Sequence, residues 1–405
     1  MHDYKVYYGE YTLKHWISLL LRKEVVLPEY QRNFVWDEAH VTGLINSLQN
    51  RSFVPPVVIG AFFERGIWKN YILDGQQRLT AILLAFLNRF PKRSSFPKTE
   101  KIGNDTDDEE DTDESSLLEW NFKQITDKGC LEKDEIISTL ETDLYKSIDI
   151  KNGINISALA DDFFTNTYLG FSFIKPSSKD VAIQTKYYAE LFRSINTTAW
   201  SLNHLESRRS LYWLKGELVS FFDPQCIHTL KLPSNARLDF VRYLALLSEY
   251  HKLKPSERSH LHLAKGFSGR EPNPPIESYI ENYIYHIIGE KDSEKFSSLK
   301  DIFNDSSYQN RLKVFENILK EINIPKQFSS IIDADIYLFG LIFYIIFESQ
   351  IIDLDRKSDI VKKLQMKIEE FRKDTQHSKR PAALKYLNKR IEESLKIYSE
   401  YIKTI

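Results

Sequence analysis

The chain has very little sulfur: among its 405 residues are two cysteines, Cys130 and Cys226, and two methionines. The cysteines lie far apart and neither belongs to a Cys-x-x-Cys pair, so the sequence offers no disulfide framework and no zinc-ligand spacing. A reducing cytoplasm fits that usage. Glycine and proline, at 14 each, are too scarce for a collagen-like chain or a Gly/Pro-rich β architecture. Long hydrophobic runs are also missing. The longest, "IYLFGLIFYIIF" from Ile336 to Phe347, falls well short of the ~20 residues of a membrane span, and the opening "MHDYKVYYGEYTL" lacks the basic-then-apolar layout of a secretion signal. No membrane contact is expected, and the run reads as a buried helix. There is no G-x-x-x-x-G-K-[ST], H-E-x-x-H, G-x-S-x-G or G-x-G-x-x-G pattern, which removes the usual support for P-loop chemistry, zinc proteolysis, hydrolase triads and dinucleotide binding. None of the ten histidines has ligand or triad spacing. His251 and His377 each precede a proline by four residues, without the context of an HNH nuclease.

What is present is a globular composition, with 42% hydrophobic and 13% aromatic residues, in a chain long enough for two or three domains. The net charge of −2 is unevenly spread. Eight acids, Asp105 to Glu114, crowd into "NDTDDEEDTDESS", and setting them aside moves the balance to +6. That run has no apolar period and reads as a mobile insertion; it lacks the turn glycine and spaced glutamate of a calcium loop. From Arg356 onward Lys and Arg outnumber Asp and Glu by two to one. Such a balance permits contact with a polyanion and equally describes a solvated helix face.

The first hundred residues alternate helix and strand signals. Thr12 can cap a helix that places Leu13, Trp16, Ile17 and Leu20 on one face, and "VVLP" reads as a short strand ended by Pro28. Asp37 can cap a second helix with Val41, Leu44, Ile45 and Leu48 inward. "PPVVIGAFF" and "WKNYIL" then read as strands. Beyond the acidic run the pattern is helical almost to the end. The expected fold is therefore α+β, a small α/β core followed by a mostly α-helical body, divided as 1–98, an acidic linker 99–116, a helical part 117–215 and a helical domain 216–405.

One junction carries unusual chemistry. In "YILDGQQRLTAILLAF", Tyr71 to Phe86, a strand hands over to a helix through Asp74, Gly75, Gln76, Gln77 and Arg78. If Asp74 is the N-cap, Gln77 falls at the third helical position and the two form a capping box. Gly75, Gln76 and Arg78 are left over by that reading. A glycine that lets a ligand approach, first-turn N–H groups, the helix dipole and an arginine fork are the parts of a phosphate site, although an arginine in a first turn can equally be surface solvation. "YQRNFVW" supplies a second arginine and glutamine, Gln31 and Arg32, among aromatic residues beginning at Tyr30. Two positive centres would suit a di- or triphosphate. "FRSINTTAWSLNHLESRR" carries Asn196, Glu206, Arg208 and Arg209, which could serve a site or merely cap and pair on a surface helix.

In order and spacing, "LPEYQRNFVW", "INSLQNRSFVPPVVI", "YILDGQQRLTAIL" and "LFRSINTTAWSLNHLESRR" resemble the landmarks of the family named for the N-terminal domain of GmrSD-type restriction endonucleases, itself similar to the ParB/sulfiredoxin nucleotidases. The resemblance covers roughly the first half of the chain. It implies a ParB/sulfiredoxin-like core and a nucleotide-hydrolysing, DNA-sensing component of phage defence, with GTP or ATP as substrate and Mg2+ as cofactor. Nucleotide contacts would come from Tyr30, Gln31, Arg32, Asp74, Gly75, Gln76, Gln77, Arg78, Asn196, Glu206 and Arg208. Asp74, Gln77 and Arg78 would be catalytic, with the metal on Asp74. An alternative is a non-hydrolysing nucleotide switch. Modified phage DNA is the implied partner. Because no HNH signature follows, a separate HNH nuclease subunit is expected to do any cutting, and a homo-oligomer is compatible with the sequence.

Overall fold

The computed structural model describes residues 4–28, 33–64, 66–96, 102–103, 119–149, 154–181, 183–184, 187–188, 191, 208, 211–212, 214–233, 236–254, 256, 258–267, 276–304 and 307–403. They fall into two compact units. One comprises Met1–Thr99 with Asp113–Leu214, the other Glu100–Thr112 with Lys215–Ile405. The fold is α+β with a mostly helical body.

In the first unit β1 (Tyr4–Thr12) leads into α1 (Leu13–Leu21), then β2 (Val25–Val26), α2 (Glu38–Gln49), β3 (Val57–Glu64), β4 (Ile67–Asp74) and α3 (Gln76–Leu87). The helix starts follow local chemistry. Thr12 accepts from the His15 N–H and Asp37 from that of His40, each satisfying a donor that the first turn leaves over. Leu13, Trp16, Ile17 and Leu20 of α1, and Val41, Leu44, Ile45 and Leu48 of α2, are buried at the expected spacing. Helix α3 is different. From Gln76 to Leu87 every residue except Arg78 is buried, so it runs through the middle of the core rather than along its surface.

Further along come two-residue strands β5 (Phe90–Pro91), β6 (Ile102–Gly103) and β7 (Tyr145–Lys146), then the nine-residue β8 (Tyr168–Pro176) and the short β9 (Arg237–Leu238). The main sheet has the order β1-β8-β3-β4-β2. Here the structure corrects the sequence: 117–215 is not simply a helical part, because β8 inserts between β1 and β3, antiparallel to one and parallel to the other. Segments 1–98 and 117–215 accordingly belong to one unit. Gly9 makes the insertion possible, since a Cβ there would lie 2.8 Å from the ring of Phe171. One face of the sheet packs on α1 to α3. On the other, the Tyr188 hydroxyl donates to the carbonyls of Ala61 and Ile174 at 2.6 and 3.0 Å, tying β3 to β8. The acidic run, Asp105 to Glu114, lies outside the described residues. Just before it, Ile102 and Gly103 pair with Arg237 and Leu238 within the second unit.

The second unit is helical. The apolar run read as a buried helix is one, Ile331–Ile342 continuing as a π-turn through Phe347. It crosses helix Leu384–Ser399 so closely that a Cβ on Gly340 would sit 2.5 Å from the Ser394 carbonyl oxygen. The closeness is secured by Gly340 N–H donating to Ser394 Oγ at 2.8 Å and by Ser394 Oγ donating to the Ile336 carbonyl, also at 2.8 Å. Beside that crossing a fully buried Asp335 accepts two bonds from Arg242, one from Arg390 Nε and one from the Tyr243 hydroxyl. Burial pushes its carboxyl up, but the two guanidinium groups outweigh that and hold it below the usual carboxylate range. No helix of the described residues is long and apolar enough to cross a membrane.

Candidate functional site

The junction that stood out in the sequence is a tight strand-to-helix turn. Strand β4 ends at Asp74, Gly75 adopts the left-handed conformation with φ +94°, and α3 begins at Gln76. Only glycine suits this position, because a Cβ would meet Val57 and the Arg78 guanidinium at 3.0 to 3.2 Å as well as the strained φ. Gly75, not Asp74, is therefore the N-cap, and as a glycine it brings no side chain to cap the helix.

The expected capping box is thus absent, for a geometric reason: Asp74 is still in the strand, one residue too early to reach the first-turn amides. Its carboxylate turns instead to Arg78, whose Nη2 donates to Oδ2 at 2.6 Å, while Arg78 Nη1 donates to the Pro55 carbonyl at 2.9 Å. Arg78 is thereby fixed beside the uncapped helix start, with its side chain only 11% exposed.

Gln77 reaches away from the turn. Its Oε1 accepts from the Val35 N–H at 2.9 Å and its Nε2 donates to the Asn33 carbonyl at 3.1 Å. One buried carboxamide therefore pins residues more than forty positions earlier, directly after the Tyr-Gln-Arg segment, against the first turn of α3. Phe34, between them, sends its ring into the core against Phe90 and Trp120. Sequence reasoning missed Asn33, Val35 and Pro55 as parts of the site. Backbone groups carry no residue-type signal, and the only clue was proximity to Arg32 and to the strand-fencing prolines.

Of the residues expected at the site, Asp74, Gly75, Gln76, Gln77 and Arg78 come together in this one turn. Gln76 and Gln77 are buried. Arg208 is also buried in the first unit, 2% exposed. Tyr30, Gln31, Arg32, Asn196 and Glu206 lie outside the described residues. Among the described residues no three His, Cys, Asp or Glu side chains are grouped so as to hold a metal ion.

Comparison with known proteins supports the same segment. Residues 14–213 match the family described as GmrSD restriction endonuclease, N-terminal domain. A stretch is 32% identical over 94 residues to the uncharacterized protein MJ0686 of Methanocaldococcus jannaschii, covering 18% of this chain and 16% of that protein. No solved structure matches the chain. The β4–α3 turn and the loop latched to it both lie within the matched residues, and residues 14–213 belong to the family of GmrSD-type restriction endonuclease N-terminal domains.

Proposed function

We propose that the β4–α3 turn binds the phosphates of a nucleoside triphosphate, GTP or ATP, and that the chain is a nucleotide-hydrolysing, DNA-sensing component of restriction whose cutting is done by a separate HNH nuclease. The observation that carries this reading is the uncapped start of α3 with Arg78 held beside it. A helix that starts on a glycine N-cap turns the positive end of its dipole toward an anion with no capping side chain from that residue in the way. Arg78 adds a guanidinium that uses two of its five N–H donors on Asp74 and Pro55, so its remaining donors can meet phosphate oxygens without moving the group. Gln77 fixes residues 33 to 35 against the same turn.

Magnesium would be held by Asp74 Oδ1 together with substrate phosphates, since Oδ2 is engaged by Arg78. A single carboxylate suits an ion that prefers phosphates and water to an all-protein cage. Bound there, it would neutralise charge on the transferring phosphoryl group.

A second reading, a nucleotide switch with little turnover, is favoured by a specific feature. Both arms of the Gln77 carboxamide are engaged with backbone, and Asp74 is engaged with Arg78, so neither is arranged to activate water. Binding and hydrolysis measured across the four NTPs with Mg2+, with and without DNA, test both. Magnesium-dependent turnover lost in Arg78→Ala supports hydrolysis, tight binding without turnover selects the switch, and absence of both overturns the site.

A further inference from the structure

The helices α1 to α3 cover only part of the sheet face they pack on. Toward the β3–β4 hairpin, the end opposite the Gly75 turn, that face carries aromatic rings and lysines and, among the described residues, no helix. Tyr7 of β1 lies opposite Phe173 of β8, ring centres 6.3 Å apart, and Phe63 of β3 lies opposite Trp68 of β4 at 5.3 Å. Lys175 sits over the Trp68 ring at 5.2 Å and Lys179 over Phe63 at 5.0 Å. Lys5 is the direct cross-strand partner of Lys175.

That last pairing has no structural benefit. Directly opposed residues in an antiparallel pair project to the same side with Cβ atoms about 5 Å apart, and like charges there are destabilising. Lys5, Lys175 and Lys179 are exposed, and none has a carboxylate partner among the described residues. The nearby Glu64 is engaged by Lys69 at 3.0 Å. Beside the platform lies a groove of about 820 Å³ whose Lys23 is matched by Asp127 at 2.7 Å and whose Lys69 is matched by Glu64 at 3.0 Å.

We propose that this platform binds single-stranded nucleic acid, with Trp68, Phe63 and Tyr7 stacking bases and Lys5, Lys175 and Lys179 meeting phosphates. Neighbouring rings on a flat sheet face offer what unpaired bases need and what duplex DNA, with its bases already stacked, cannot use. The proposal extends the DNA-sensing part of the function proposed above to a definite surface, and commits it to unpaired strands. It does not depend on the nucleotide site, which lies at the far end of β3 and β4.

The test uses the full chain and a fluorescently labelled oligothymidine of about 15 nucleotides. Anisotropy titrations over a range of salt should show binding to the single strand in preference to a blunt duplex of equal length. The double substitution Lys5→Gln with Lys175→Gln should flatten the slope of log affinity against log salt by about 1.4, or ~0.7 for each phosphate that is no longer neutralised. Trp68→Leu should weaken binding about 5- to 100-fold with the salt slope unchanged. Thermal unfolding should show no loss of stability in either case, since all three residues lie at the surface, and the lysine variant should gain slightly from removal of the Lys5–Lys175 repulsion. Equal affinity for duplex and single strand, or variants that bind as the wild type does, would overturn the platform. Arg78→Ala should bind the oligonucleotide normally. Loss of nucleotide binding in that variant alone, or failure of every form to bind NTP while oligonucleotide binding persists, keeps the fates of the two sites separate.

Discussion

Gln77 separates two accounts of the signature turn. Were it the third residue of a capping box, a glutamate would serve as well or better, because a carboxylate reaching back to the helix start is favoured by the dipole. In the structure Gln77 spans two backbone groups of the 33–35 loop, one donor and one acceptor, and only a carboxamide matches both. Gln77→Ala leaves a partly buried N–H and a partly buried carbonyl without partners, at a cost of about 2–3 kcal/mol. For a unit of about 200 residues this lowers the unfolding temperature by roughly 5–10 °C. Gln77→Glu keeps the bond from Val35 but sets a carboxylate against the Asn33 carbonyl. The charged form is disfavoured in the fold, so the introduced carboxyl has a folded pKa above its unfolded value of about 4.3. Stability near that of the wild type should therefore return below about pH 4, where the protonated carboxyl can donate to Asn33, and be lost as pH rises through the raised folded pKa. Thermal scans of the three proteins from pH 4 to 7 decide the matter, with trypsin cleavage after Arg32 as a local readout that should quicken in both variants. A glutamate variant as stable as the wild type at pH 7 would refute the clamp and restore the cap.

Arg78→Ala should weaken nucleotide binding about 10- to 100-fold, the scale of a charge-assisted hydrogen bond, measured by titration calorimetry. Unchanged affinity would remove Arg78 from the phosphate site. Asp335→Asn in the second unit should cost about 3–5 kcal/mol in urea unfolding, because it removes the buried carboxylate that both Arg242 and Arg390 bond. His377 accepts from Arg390 Nη1 in the structure, and burial followed by that guanidinium pushes its pKa down to about 4. Its folded pKa lies below the unfolded 6.5, so its contribution is present above about pH 6.5 and is lost as pH falls toward 4; in His377→Gln the unfolding midpoint should fall less steeply over that window. Deleting Asp105 to Glu114 moves the net charge from −2 to +6 and should raise DNA affinity at low salt, read by anisotropy.

What could be read from the sequence was what repeats or acts locally. The inward faces of α1 and α2, the caps at Thr12 and Asp37, the strand before Asp74 and the buried helix at Ile336 each declare themselves within a dozen residues. Strand β8 did not, because Tyr168 to Pro176 carries aromatic and aliphatic residues on both sheet faces. A strand whose two edges are filled by β1 and β3, and whose faces meet α1 on one side and Tyr188 on the other, need not alternate between polar and apolar. The signature turn was read with the wrong bonds. Its spacing suited a capping box, but the left-handed Gly75 shifts the helix start by one position and leaves Asp74, Gln77 and Arg78 to other bonds. Asp74 and Arg78 lock to each other and to Pro55, and Gln77 holds the loop that follows Arg32. That answers why the junction is so polar where a two-residue turn would connect the same strand and helix. The amide and the ion pair hold two other loops against the start of α3, so the geometry of an anion site there is set by buried contacts rather than by the surface of the turn itself.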